Sequence, residues 1–186
     1  MITARQKRKE NIVEYLLYMW QVEDMIRASH LDMDLMEARI ISKYDQPEEV
    51  KREIRLWYQD LADMMRTEGI AEKGHIQINR NVVAELTDLH HRLLRDPLET
   101  IYGSLYYQTL PAIVQLRAKS GGNGAVSEIE TCLTAIYGYF WLKIQEKDIS
   151  VETQEGIKRI SKMLAFLAFR FHEGENPIRY GKNSKD

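Results

Sequence analysis

Pro47-Glu48-Glu49-Val50-Lys51-Arg52-Glu53-Ile54-Arg55-Leu56-Trp57-Tyr58-Gln59-Asp60-Leu61-Ala62-Asp63-Met64-Met65-Arg66-Thr67-Glu68-Gly69 holds a helix start, a helix period and a helix stop in one stretch. Proline is favoured at the first helical position, where its missing N–H costs nothing. Glu48 and Glu49 suit the positive end of the helix dipole. Glu48 and Arg52 stand one turn apart with opposite charge. Val50, Ile54, Trp57, Leu61, Met64 and Met65 recur at the steps of one apolar helix face. Gly69 supplies the left-handed residue that commonly ends a helix. The 3.6-residue period, without alternation, predicts helix and not strand.

The same signals extend outward in both directions. Asp32 is a suitable N-cap for a short helix with Met36, Ile40, Ile41 and Tyr44 on one side. Before it, Ile12, Tyr15, Leu16, Met19, Val22 and Ile26 place a helix over Gln6–Ala28. Its apolar run, Ile12 to Gln21, is interrupted by Glu14 and is too short to span a bilayer. It reads as a helix of the domain and not as a secretory signal. Beyond Gly69, the segment from Ile70 to Asn79 reads as a linker. Val82, Val83, Leu86, Leu89, Leu93 and Leu94 form the next apolar face, which Asp96-Pro97 ends. A helix over Leu98–Lys119 contains Pro111, which predicts a kink or two abutting helices. Ser120-Gly121-Gly122-Asn123-Gly124 reads as a flexible loop. The helix over Ser127–Glu146 has Ile129, Leu133, Ile136, Tyr137, Phe140 and Ile144 inward. The last helix starts at Ser150 and carries Ile157, Ile160, Met163, Leu164, Leu167 and Phe171. The expected fold is all-α, a single compact bundle of about seven helices over residues 1–172, followed by a polar tail at 173–186.

Composition narrows the function classes. The chain has 186 residues, 44% of them hydrophobic, with 10 glycines and 4 prolines, a size at which one domain buries a full core. Residues 1–93 carry 14 basic and 17 acidic side chains, and residues 94–186 carry 12 and 11. Neither half is a basic footprint of the kind nucleic acid requires, so no nucleic-acid partner is expected. The one cysteine, Cys132, forbids an intrachain disulfide and removes every cysteine-based zinc pattern. A soluble, cytoplasmic protein without a membrane partner is the expectation.

Of the five histidines, His90 lies in Asp88-Leu89-His90-His91, one half of the Glu-x-x-His pairing that a di-iron bundle repeats on two helices. Glu72 and His75 share that spacing but straddle Gly74 in a linker. No metal and no cofactor is expected. The loop at 121–124 lacks the Gly-Lys-Ser/Thr ending of a phosphate cradle. Cys132 sits among apolar residues and reads as core. More informative is Glu23, an acid on the face shared by Leu16, Met19 and Ile26. A buried acid needs a partner, and Arg39 and Arg55 are the candidates. Trp20 and Trp57 offer rigid walls with one donor each. The candidate ligand-binding residues are Glu23, Trp20, Arg39, Trp57, His75 and His90.

Tyr15-Leu16-Leu17-Tyr18-Met19-Trp20-Gln21-Val22-Glu23-Asp24 resembles the start of an uncharacterised bacterial family. Gln46-Pro47-Glu48-Glu49-Val50, Glu72-Lys73-Gly74-His75, Leu86-Thr87-Asp88-Leu89-His90 and Glu128-Ile129-Glu130-Thr131-Cys132 extend the resemblance over nearly the whole chain. It implies an all-helical domain of unknown function and assigns no chemistry. The leading expectation is therefore a non-enzymatic binding or interaction module, a homodimer taking a small molecule or a partner helix. The alternative is an enzyme with a site around Glu23, His75 and His90.

Overall fold

The structure is a computed structural model and describes residues 2–119 and 126–175. Among the described residues eight α-helices follow one another: α1 Ile2–Glu10, α2 Ile12–Ala28, α3 Met33–Arg39, α4 Glu48–Thr67, α5 Gln77–Arg95, α6 Thr100–Lys119, α7 Glu128–Ile144 and α8 Val151–Glu175. A 3-10 turn, Ile41–Lys43, follows α3. The described residues contain no strand, so the all-α expectation holds. None of these helices is long and apolar enough to cross a membrane. The expected loop at 120–124 and the tail from residue 176 lie outside the described residues. Within the expected tail, α8 continues through residues 173–175.

The helices fall into two compact units. One comprises α1 and Glu14–Val82, and the other comprises Asn11–Val13 and the chain from Val83. The helix expected over Gln6–Ala28 is two helices, because the Asn11 side chain accepts the N–H of Val13 at 3.0 Å. A short amide side chain competes in this way with the helical backbone.

In the first unit, α2 buries Leu16, Met19, Trp20, Val22 and Ile26. Met36 and Ile41 are buried beside it in sequence, and α4 buries Ile54, Tyr58, Leu61, Ala62 and Met65. The turn from α2 to α3 runs through His30 and Leu31, both with positive φ. Asp32 then caps α3, accepting from Asp34 and Leu35 N–H. Those two N–H groups hold the Asp32 carboxyl below the usual carboxylate range. Arg55 ties α4 to α3 through Met33 carbonyl at 3.1 Å and the carboxylates of Asp34 and Glu37. Arg66 reaches the Leu31 carbonyl. Pro47 stands just outside α4, one residue before its expected place. At the other end Gly69, φ +68°, lets Ile70 N–H turn back to Met65 carbonyl at 3.0 Å.

In the second unit, α6, α7 and α8 pack against one another. Their buried side chains include Tyr102, Ile113, Ile129, Cys132, Leu133, Ile160, Met163, Leu164 and Leu167. Pro111 does not divide α6, which runs unbroken from Thr100 to Lys119. Arg170 of α8 pairs with Glu99 and Glu173. Two residues expected to face inward do not: Phe140 and Ile144 are exposed. Just beyond α7, Glu146 has a φ of +53°, which lets Lys147 N–H return to Leu142 carbonyl at 3.0 Å. A side chain with a Cβ is disfavoured in that conformation. Glu146→Gly should therefore raise the unfolding free energy by about 1 kcal/mol in urea denaturation. An unchanged or lower value would show that the turn is not held as described.

Candidate functional site

Helix α2 presents Trp20 and Glu23 one turn apart, and both are buried, Glu23 with 0% exposure. Its partners come from the chain that follows α4. Gly74, φ +97°, adopts a conformation that glycine takes without penalty, and His75 follows it into the site. Oε2 of Glu23 lies 2.6 Å from His75 Nδ1. Oε1 accepts Ile76 N–H at 3.1 Å and the Asn79 side-chain amide at 2.8 Å. Ile76 immediately precedes α5, so the carboxylate sits where a helix presents its unpaired N–H groups and positive dipole end. Tyr15 hydroxyl donates to Asn79 Oδ1 at 3.3 Å, closing the chain of contacts on α2.

His75 also stacks on Trp20, with ring centroids 4.1 Å apart and planes 12° from parallel. An ionised carboxylate only accepts, so Nδ1 of His75 carries the proton toward Glu23. That leaves Nε2 to act as the ring's acceptor when the imidazole is neutral. The side chain is 27% exposed. A fixed ring with one nitrogen committed and partial access to solvent can accept a proton or a hydrogen bond from a bound molecule.

Of the six candidate residues the structure brings Glu23, Trp20 and His75 together, with counter-groups other than the arginines considered. Arg39 is exposed and donates to the Ala28 carbonyl at 3.3 Å, while Arg55 is engaged with α3. Glu23 is answered by a histidine, an amide and a backbone N–H in place of a guanidinium. Asn79 escaped the sequence reading. Its signal was available: it lies three, four and seven residues before Val82, Val83 and Leu86, on their apolar face.

Trp57 belongs to a separate feature of the first unit. It is half-buried and lines a cavity of about 480 Å³ between α1 and α4. Ile2, Val50, Ile54 and Leu56 supply the apolar wall, and Arg5, Glu53 and Asp60 supply charge.

His90 belongs to the second unit, where it is buried and has its own partners. Nδ1 lies 2.6 Å from Tyr102 hydroxyl, and Nε2 lies 3.4 Å from a Glu128 oxygen. Burial holds the imidazole below its usual value of 6.5, against the opposing pull of Glu128. Burial also pushes the Tyr102 hydroxyl up, so it stays protonated and donates to Nδ1, leaving N–H on Nε2 toward Glu128. Tyr106 contacts the His90 ring edge-on, and its own hydroxyl is pushed up to about 12 by desolvation and then by Glu128. Cys132 is fully buried and its thiol is pushed up to about 12, which suppresses the nucleophilic thiolate. Among the described residues no group of three or more His, Cys, Asp or Glu side chains is placed to hold a metal ion.

Two outcomes test these networks. Glu23→Gln presents an amide N–H₂ or a single oxygen where the carboxylate takes three donors, and should cost about 3 kcal/mol of stability in urea denaturation. A loss below about 0.5 kcal/mol would mean the network does not hold the chain before α5. For His90 the folded form disfavours the proton, so the unfolded state binds more protons as pH falls below 6.5. The stability it contributes is complete above that value and declines below it. Between pH 7.5 and pH 5 the wild type should lose more melting temperature than His90→Gln. Equal losses would remove His90 as the cause.

No curated protein and no solved structure matches the chain. The family model described as a domain of unknown function, DUF4924, matches residues 1–177, and the chain belongs to that family.

Proposed function

We propose that this protein is a cytoplasmic, non-enzymatic binding module that works as a homodimer and takes a small, largely apolar molecule in the α1–α4 groove. The observation that carries the reading is the groove itself. Its volume of about 480 Å³ falls within the range of small-molecule sites, which combine apolar walls with a few polar groups. Ile54 forms part of its buried wall and Trp57 its half-buried aromatic side. Arg5, Glu53 and Asp60 offer charged handles for orienting a ligand.

A second reading, an enzyme with His75 as general base, has one favourable observation: the 2.6 Å approach of Nδ1 to Glu23, which fixes the ring's tautomer. Hydrolysis of p-nitrophenyl esters that disappears in His75→Gln would replace the binding reading with this one.

The groove is tested with 1-anilinonaphthalene-8-sulfonate, titrated by fluorescence. Leu56 is exposed on the groove's edge, so Leu56→Glu leaves the core intact and places a charge against the dye. We expect at least fivefold weaker dye binding in Leu56→Glu and unchanged binding in Trp141→Ser. No dye binding by the wild type, or binding indifferent to Leu56→Glu, overturns the assignment.

A further inference from the structure

The seam between α6 and α8 in the second unit holds a polar cleft. The two helices run antiparallel in a fixed register. Tyr102 stacks on Phe166, a Cβ at Gly156 would stand 3.4 Å from that of Ala112, and Gln115 donates to Glu152 at 3.2 Å. The same register sets Gln108 and Thr109 of α6 across from Arg159 of α8. Together with Glu155, Lys158 and Lys162 they line a cleft of about 210 Å³. Positions 155, 158, 159 and 162 stand at i, i+3, i+4 and i+7, so one face of α8 carries all four side chains.

We propose that this cleft is a binding site for the phosphate group of a small, soluble phosphomonoester. The charge balance comes first. Three cations and one carboxylate line the cleft, which leaves two positive charges in excess. Glu155 stands 3.8 Å from Lys158, while Arg159 and Lys162 have no ion-pair or hydrogen-bond partner among the described residues. The facing helix cannot answer them, because Thr100 through Leu116 contains no charged residue. Farther along the same seam Arg170 does meet an acid, Glu99. The cleft also sets like charges side by side: Lys162 lies one turn from both Lys158 and Arg159, spacings at which like charges destabilise a helix. A bound anion relieves that repulsion.

The donors suit phosphate in particular. The Arg159 guanidinium offers paired N–H groups in the fork that phosphate oxygens accept, and the lysines add compact charges. The Gln108 amide gives one N–H to the Ser104 hydroxyl at 3.2 Å and keeps a second to donate. Thr109 spends its hydroxyl proton on the Leu105 carbonyl at 2.7 Å, so it bounds the cleft without adding a donor. A phosphomonoester loses its second proton near about pH 6, and its two negative charges then equal the excess in the cleft. The volume falls below that of whole small-molecule sites, so the cleft takes the head group and leaves the rest of the ligand outside. Glu152 and Glu155 close one end of the basic face, which breaks the continuous basic track that a nucleic-acid backbone needs.

The test is a titration of the full chain with glycerol 3-phosphate at pH 7.5 and constant ionic strength, followed by backbone amide chemical shifts. We expect saturable shifts confined to residues 104–109 and 155–162, with a Kd below ~1 mM, and none with glycerol. Arg159→Gln should weaken binding at least tenfold and Lys162→Gln at least fivefold, while Lys9→Gln on α1 should bind as the wild type does. Without phosphate, Lys162→Gln should melt at or above the wild-type temperature, since it removes two like-charge contacts. A lower melting temperature would make Lys162 a structural residue and overturn its assignment. Shifts that never saturate, or that sodium chloride reproduces, would show a solvated basic face and overturn the site. Binding that persists in both Arg159→Gln and Lys162→Gln also overturns it. Retention on phosphatidate vesicles without any binding of glycerol 3-phosphate overturns the soluble ligand.

Discussion

A fully buried carboxylate must find donors or forgo its charge, and Glu23 imposes that demand on everything around it. It takes His75, the Ile76 N–H and the Asn79 amide. Each is supplied by the chain just after α4, so the ending of α4, the left-handed Gly74 and the start of α5 all serve one group. Gly69 turns the chain out of α4, Glu68 accepts the Gln77 N–H at 2.7 Å, and Asn79 hands the network on to Tyr15. The imidazole that results is held on three sides: by a carboxylate, by the Trp20 indole and by its own backbone. Such pre-organisation is what binding and proton transfer require of a polar group.

The second unit meets the same constraint differently. There the buried polar group is neutral His90, and its partners are a tyrosine and a glutamate on other helices. Keeping the ring uncharged reduces the desolvation cost and lets both nitrogens be satisfied by one donor and one acceptor. Four of the five stretches that carry the family resemblance supply a member of one network or the other: Trp20 and Glu23, His75, His90, and Glu128. The fifth, Gln46 to Val50, contributes to the groove.

Much of this was legible in the chain. Glu23 announced itself as an acid at an apolar period, with Trp20 one turn away on the same helix and His75 just beyond Gly74 in the linker. What failed to show was partner identity. Arg39 and Arg55 had the right charge, but their backbone positions direct them to the Ala28 and Met33 carbonyls. Nothing in a local sequence tells an arginine which oxygen it will meet. His90 was grouped with Glu23 on residue type alone, whereas its contacts are made within its own unit. Glu128 was missed because an acid in the first turn of a helix has a sufficient reason to be there in the dipole. Periodicity identified the apolar stripe of α7 correctly and then misjudged its surroundings. The period says which residues share a face, and it is silent on whether another helix reaches that far along it, which is why Phe140 and Ile144 were expected inside.

The burial of Cys132 has a practical consequence for spectroscopy. It is the only cysteine in the chain, and it is closed to solvent with its thiol far from ionised at neutral pH. Alkylating reagents attack thiolates, so the folded chain is silent toward maleimides without any substitution. A cysteine introduced at an exposed position would be labelled alone, with the native residue serving as an internal clock: its slow reaction reports the opening of the α7 core.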